Sequence, residues 1–157
     1  MKVAHIGFGG MGKSVYNQAL DRGHESVILK SSTAISLENL QASDIVIECT
    51  VPEAFMVNLQ QLCEFKQDTL VVTTGWYDFL PEVEKLVRDS EIRFMYSSNY
   101  SIGVNLYFKI IEAAAELVNV TDEYDIWGHE IHHKNKIDSP SGTAKTLIDI
   151  LLSKIDR

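Results

Sequence analysis

The chain has 157 residues, with 14 Lys+Arg against 22 Asp+Glu, 45% hydrophobic and 9% aromatic residues, and two cysteines. That composition excludes disordered, collagenous and disulfide-stapled classes, and a formal charge of -8 with thinly spread basic residues argues against a nucleic-acid partner. No apolar run is long enough to span a bilayer, and MKVAHIGFGG passes straight into glycines with no signal-peptide core, so a cytoplasmic protein with no membrane partner is expected.

Short β-type runs alternate with helix-period stretches, the pattern of an α/β protein built on a doubly wound parallel sheet of Rossmann type. Lys2–Ile6 is the first expected strand, Gly7–Gly12 a glycine loop, and Lys13–Arg22 a helix that stops at Gly23. Ser26–Leu29 is the second strand, and the polar stretch Ile35–Leu40 reads as a short connection. Asp44–Cys49 is a third strand, Pro52–Phe65 a helix opening on Pro-Glu, and Thr69–Thr73 a fourth strand. A helix over Leu80–Asp89 and a fifth strand over Ile92–Tyr96 complete a dinucleotide-binding domain of residues 1–100.

Beyond it the character changes. SSNYSIGVN is a polar loop, Val104–Val118 a long Ala- and Leu-rich helix, and Tyr124–His132 reads as a strand of a separate sheet. Leu147, Ile148, Leu151, Leu152 and Ile155 give Thr143–Ile155 the 3.6-residue period of an amphipathic helix. Residues 101–157 are therefore read as the start of a second, α+β domain. Cys49 and Cys63, without CxxC spacing, read as buried free thiols.

Gly7-Phe8-Gly9-Gly10-Met11-Gly12 fits GxGxxG between a buried strand and a helix, the context in which the motif holds a dinucleotide pyrophosphate on a helix N-terminus. At the end of the second strand, where a NAD site places an acidic residue for the ribose 2′-OH, the chain has Lys30-Ser31-Ser32. A cation with two hydroxyls suits a 2′-phosphate, so the residues lean towards NADP(H) over NAD(H). A solvated lysine at a strand end is the competing reading.

At residues 129–145 the chain reads HEIHHKNKIDSPSGTAK. Lys136 offers a compact positive charge, a histidine exchanges protons near neutral pH, and Ser141-Gly142-Thr143 opens a helix whose N–H groups and hydroxyl suit a carboxylate. His132 and His133, adjacent on the expected strand, should face opposite ways, so only one addresses a substrate directly. The same divergence, with no cysteine nearby, weighs against a metal site in the His129, Glu130, His132, His133 cluster, and no metal is expected.

Through Glu130, His132, His133, Lys136, Asp138, Ser139, Pro140, Ser141, Gly142, Thr143 and Ala144 the chain resembles the dihydrodipicolinate reductase family, which reduces 4-hydroxy-tetrahydrodipicolinate with NAD(P)H in lysine and diaminopimelate biosynthesis. Thr50-Val51-Pro52-Glu53, Thr73-Thr74-Gly75-Trp76 and Asn99-Tyr100-Ser101-Ile102-Gly103-Val104-Asn105 match in the same order. The resemblance implies proton-donor roles for His132 and Lys136. It assigns a grip on the dicarboxylate substrate to His133, Lys136, Gly142 and Thr143, and a nicotinamide lining to Thr50, Thr73, Thr74, Gly75, Asn99 and Ser101. It also implies that residues 101–157 begin the substrate-binding and oligomerisation domain, and that the protein is a homo-oligomer, typically a tetramer.

The chain departs from the family in three places. GFGGMG lacks the Arg usual in the glycine loop, Glu48-Cys49 stands where Asp-Phe is usual, and family members continue past the last helix, where this chain ends at Arg157. The third departure leaves a fragment, completion by another subunit, or a naturally short relative as expectations. A non-catalytic NAD(P)-binding or interaction module of the same fold is the alternative to a reductase.

Overall fold

The computed structural model describes residues 1–30, 35–40, 42–134 and 139–156. Apolar and β-branched runs form the strands β1 (Lys2–Ile6), β2 (Glu25–Leu29), β3 (Ile45–Glu48), β4 (Thr69–Val71) and β5 (Phe94–Tyr96) of one parallel sheet in the order β2-β1-β3-β4-β5. Ile6 is level with Leu29 of β2 on one side and with Glu48 of β3 on the other. The chain order thus reverses at β1, and the crevice outside the carboxyl ends of β1 and β3 is the topological switch point where such sheets bind ligands.

Helices cover both faces. α1 (Gly10–Asp21) lies on the face that carries His5, whose ring meets Tyr16 edge-on at 5.4 Å. Ala4, Ile6 and Val46 point the other way into a buried cluster with Leu29, Leu40 and Leu62, covered by α2 (Leu37–Leu40) and α3 (Pro52–Glu64). A second cluster gathers Phe55, Leu59 and Cys63 of α3, Val71, Trp76, Ile92, and Val83 of α4 (Leu80–Ser90). Trp76 is fully buried, stacked on Phe55 at 4.4 Å, and its indole N–H donates to the Thr73 carbonyl at 2.7 Å.

Several boundaries differ from the sequence reading. The helix after the glycine loop starts inside the motif, at Gly10, with Gly9 as its extended N-cap. The stretch Ile35–Leu40 contains the four-residue α2, nucleated where Ser36 receives the Asn39 and Leu40 N–H groups and driven by burial of Leu40. A 3-10 turn over Tyr77–Phe79 precedes α4, and β3, β4 and β5 are each shorter than expected.

The chain divides into two compact units, Met1–Ser97, which contains the whole sheet, and Ser98–Arg157. The second holds α5 (Ile102–Val118) and α6 (Gly142–Lys154). Their C-terminal ends are tied together: Lys154 Nζ donates to Glu116 at 2.7 Å, and the Asp156 N–H donates to Asn119 Oδ1 at 3.2 Å. Tyr124–His132, expected as a strand, is not one. A strand exists only through its ladder, and the described residues of this unit contain no strand to pair with it.

Candidate functional site

In the first unit, the glycine loop joins β1 to α1 at the switch point. Gly7 sits at φ +85, and its N–H donates to the Leu29 carbonyl at 3.0 Å. A Cβ there would stand 2.4 Å from the Cys49 carbonyl oxygen, so the exit of β3 packs directly on this turn. A Cβ on Gly12 would stand 2.4 Å from the Gly7 oxygen, which makes glycine the condition for α1 to lie this close to its own loop. Gly9 and Gly10 differ: a Cβ on either meets nothing within 4 Å.

Gly9 is the N-cap of α1 and supplies no side-chain hydrogen bond. No side chain caps the first-turn N–H groups of α1, and the positive end of the helix dipole lies behind them. This arrangement fits a dinucleotide pyrophosphate, with its backbone donors, open approach and no competing carboxylate in the first turn. Phe8 packs edge-on against Tyr16 at 5.5 Å, with Lys13 Nζ 5.8 Å from its ring centroid, and Met11 is exposed. Lys30 is exposed immediately after β2, beside the turn that Leu29 anchors; Ser31 lies outside the described residues.

Thr50 and Thr73-Thr74-Gly75 follow the carboxyl ends of β3 and β4, where Gly75 closes on Pro52 so that a Cβ would reach the proline ring at 3.1 Å. Sequence reasoning did not find what holds Thr50. Fully buried Glu48 accepts through Oε1 from the Thr50 hydroxyl, from its N–H at 3.3 Å, and from Asn58 Nδ2 at 3.2 Å. Asn58 also donates to the Thr50 hydroxyl at 3.3 Å. The carboxylate two residues before Thr50 was visible in the sequence as a departure, whereas its link to Asn58 requires α3 to be docked. The Thr73 hydroxyl is buried without a partner among the described residues, and Thr74 is exposed. Burial, with Glu48 adding repulsion, pushes the Cys49 thiol up to about 12, and burial also raises Cys63.

In the second unit, Asn99 and Ser101 build the start of α5. Asn99 Oδ1 accepts the Ser101 N–H at 2.9 Å, and Ser101 Oγ caps Val104 at 3.4 Å. The N-terminus of α6 gathers the signature residues. Ser141, buried, caps the helix by accepting the Ala144 N–H at 3.0 Å. Its own N–H donates to Glu130 Oε1 at 2.9 Å and its hydroxyl to Glu130 Oε2 at 2.7 Å. The same Oε2 lies 2.9 Å from Nε2 of His132. These donors hold the Glu130 carboxyl down to about 2, the Ser141 hydroxyl contributing most.

Gly142 and Thr143 head the first turn of α6, where helix geometry leaves N–H groups without intrahelical partners. His133 is exposed, and Lys136 lies outside the described residues. The structure thus brings His132, Ser141, Gly142 and Thr143 to one helix end through Glu130. The eleven-residue separation of Glu130 from Ser141 belongs to no local pattern.

A parallel sheet with its glycine turn at the switch point and a helix N-terminus that no side chain caps defines an α/β protein of the nucleotide-binding Rossmann type. A family model described as dihydrodipicolinate reductase, N-terminus, matches residues 1–100, and one described as dihydrodipicolinate reductase, C-terminus, matches residues 103–157. The chain belongs to the dihydrodipicolinate reductase family.

Among its relatives, the 4-hydroxy-tetrahydrodipicolinate reductase of Christiangramia forsetii is 31% identical over 98% of this chain and 65% of its own length. That of Staphylococcus aureus is 32% identical over the same shares, and that of Methanoregula boonei is 37% identical over 75% of this chain and 46% of its own length. The chain thus spans less than two thirds of the length of these relatives. A solved structure of a dipicolinate-bound dihydrodipicolinate reductase from Paenisporosarcina superposes with a TM-score of 0.73 at 20% identity, over 99% of this chain and 67% of that one. It has the same fold. No helix among the described residues is long and apolar enough to cross a membrane.

Proposed function

We propose that residues 1–100 bind NAD(P)H and that residues 101–157 carry the signature-bearing part of the substrate domain of a cytoplasmic 4-hydroxy-tetrahydrodipicolinate reductase. The reaction would give tetrahydrodipicolinate, in lysine and diaminopimelate biosynthesis. The observation that carries this reading is the convergence at α6, where a helix start capped by Ser141, with Gly142 and Thr143 in its first turn, is tied through Glu130 to His132. Helix starts of this kind bind carboxylates, and the solved reductase from Paenisporosarcina is bound to dipicolinate.

The cofactor, when bound, supplies the hydride. The chain's own residues bind and orient. Gly9, Gly10 and Met11 at the start of α1 would donate backbone N–H groups to the pyrophosphate, with Phe8 beside them and Gly7 and Gly12 shaping the turn. Thr50, its hydroxyl held by Glu48 and Asn58, would line the nicotinamide end with Thr73, Thr74, Gly75, Asn99 and Ser101. Gly142 and Thr143, with His133 and Lys136, would grip the substrate carboxylates. His132 and Lys136 would deliver the proton that the substrate takes up. The Ser141 hydroxyl is already shared between Glu130 and Ala144, so its part is to hold the helix start on which the substrate sits.

NADPH is the favoured cofactor, on the support of Lys30 beside the Gly7 turn and with Ser31 next in sequence. Replacing Lys30 by Ala should raise the KM for NADPH about tenfold, the worth of one hydrogen bond to a charged group, and leave that for NADH unchanged. Unit 2 exposes Trp127 by 84% and Ile131 by 83%, apolar surface that a second copy would cover; light scattering of the purified chain tests this homo-oligomer.

The decisive experiment couples the chain to dihydrodipicolinate synthase and follows NADPH absorbance. Oxidation dependent on the synthase product supports a reductase. Cofactor binding without oxidation would leave a binding module and overturn the reading.

A further inference from the structure

Glu130 has no role in the reading above, yet it joins the proposed proton donor to the helix start on which the substrate would sit. Its two oxygens carry three hydrogen bonds: the Ser141 N–H at 2.9 Å on Oε1, and on Oε2 the Ser141 hydroxyl at 2.7 Å and the His132 ring at 2.9 Å. The Ser141 bonds alone would suffice to tether this loop to α6. The third bond orients an imidazole, and anchoring the loop does not require it.

An ionised carboxylate accepts hydrogen bonds and donates none. Glu130, held at about 2 by its donors, is ionised at any physiological pH. Nε2 of His132 must therefore carry the proton between them, and Nδ1 is the ring nitrogen that Glu130 does not engage. Residues 124–132 form no strand that would otherwise fix this ring. Carboxylates orient histidines in this way at metal and catalytic sites generally, by setting the tautomer through the far nitrogen.

We propose that Glu130 is the positioning residue of this site: it pins His132 as the Nε2–H tautomer against the start of α6, so that Nδ1 is the nitrogen that faces the substrate. The inference rests on the assignment of His132 as proton donor. When imidazolium gives its Nδ1 proton to the substrate, the neutral ring keeps its Nε2 proton on the Glu130 carboxylate, and no other proton has to move.

The test is nuclear magnetic resonance of the 15N-labelled chain, with His132 assigned by its loss in His132→Asn. In the parent protein, an Nε2 proton should be visible and slow to exchange, because the ring protons of an untethered surface histidine exchange too fast to observe. Glu130→Gln keeps an acceptor for Ser141 but turns a donor towards the ring, so the protected proton should disappear and the Nδ1–H tautomer should grow several-fold. Ser141→Ala removes the hydroxyl that caps α6 and should lower the melting temperature, yet leave the His132 Nε2 proton in place.

In the synthase-coupled assay, Glu130→Gln should lower kcat about tenfold to a hundredfold, the scale of a misplaced reacting group, with KM for the substrate within about twofold. Absence of a protected Nε2 proton in the parent would overturn the proposal, even if the variants fail to fold. So would a parent-like ring in Glu130→Gln, or an equal change in Ser141→Ala, which would reduce Glu130 to a tether. If the parent oxidises no NADPH, the reductase reading fails by itself and the ring measurement still decides the role of Glu130.

Discussion

Gly9 and Gly12 occupy the same loop and the same motif, yet the structure predicts opposite consequences for their replacement by Ala. At Gly12 the new Cβ would lie 2.4 Å from the Gly7 carbonyl oxygen and 3.2 Å from its carbon, with backbone on both sides of the clash. Ala would gain about 1 kcal/mol of helix propensity over Gly, and overpacking against backbone would cost about 1–3 kcal/mol or more. Gly12→Ala should therefore melt several degrees lower and bind cofactor less well only because the turn is distorted.

At Gly9 the Cβ meets nothing within 4 Å, and the backbone, at φ -74 and ψ -163, suits any residue. Stability should change by less than about 1 kcal/mol, the difference between Gly and Ala at an N-cap. The methyl would stand in the space where a pyrophosphate approaches the α1 N–H groups, and loss of even one charge-assisted hydrogen bond costs about 1.5–3 kcal/mol, or roughly tenfold to a hundredfold in affinity. Titration of NADPH fluorescence on each variant, beside a thermal melt, separates the two effects. Cofactor binding to Gly9→Ala at parental affinity would refute the assignment of this open space to the phosphates.

Other consequences follow from burial and charge. Trp76→Ala, which empties a fully buried site stacked on Phe55 and frees the Thr73 carbonyl, should destabilise the first unit by about 3–5 kcal/mol in urea unfolding, while Trp76→Phe should cost less. Glu130 is depressed from 4.5 to about 2 in the folded chain, so between those values the unfolded state binds more protons and stability falls as pH falls. Melts of the parent from pH 5 to pH 2 should slope accordingly, and Glu130→Gln should flatten the slope. Both thiols are raised by burial, Cys49 to about 12, so neither should react with a thiol reagent at pH 8 until the protein is unfolded by denaturant.

The sequence by itself carried the parallel sheet, the glycine turn and the signature at residues 129–145. Each is written in local terms: short apolar runs, period-3.6 apolarity, a glycine where a Cβ would collide, a serine at a helix start. Burial of Ala4, Ile6 and Val46 follows directly from those runs. The strand expected over Tyr124–His132 shows where local pattern stops being sufficient, because strand pairing is a property of two segments and the described residues of its unit contain no strand to pair with it. Two carboxylates required the folded chain for the same reason. Glu48 reaches Asn58 only when α3 docks on β3, and Glu130 meets Ser141 only when these residues, eleven apart in sequence, come together at the N-terminus of α6. Hydrogen bonds between residues distant in sequence leave no periodicity to read, and tertiary structure alone determines which donor a buried or half-buried carboxylate finds.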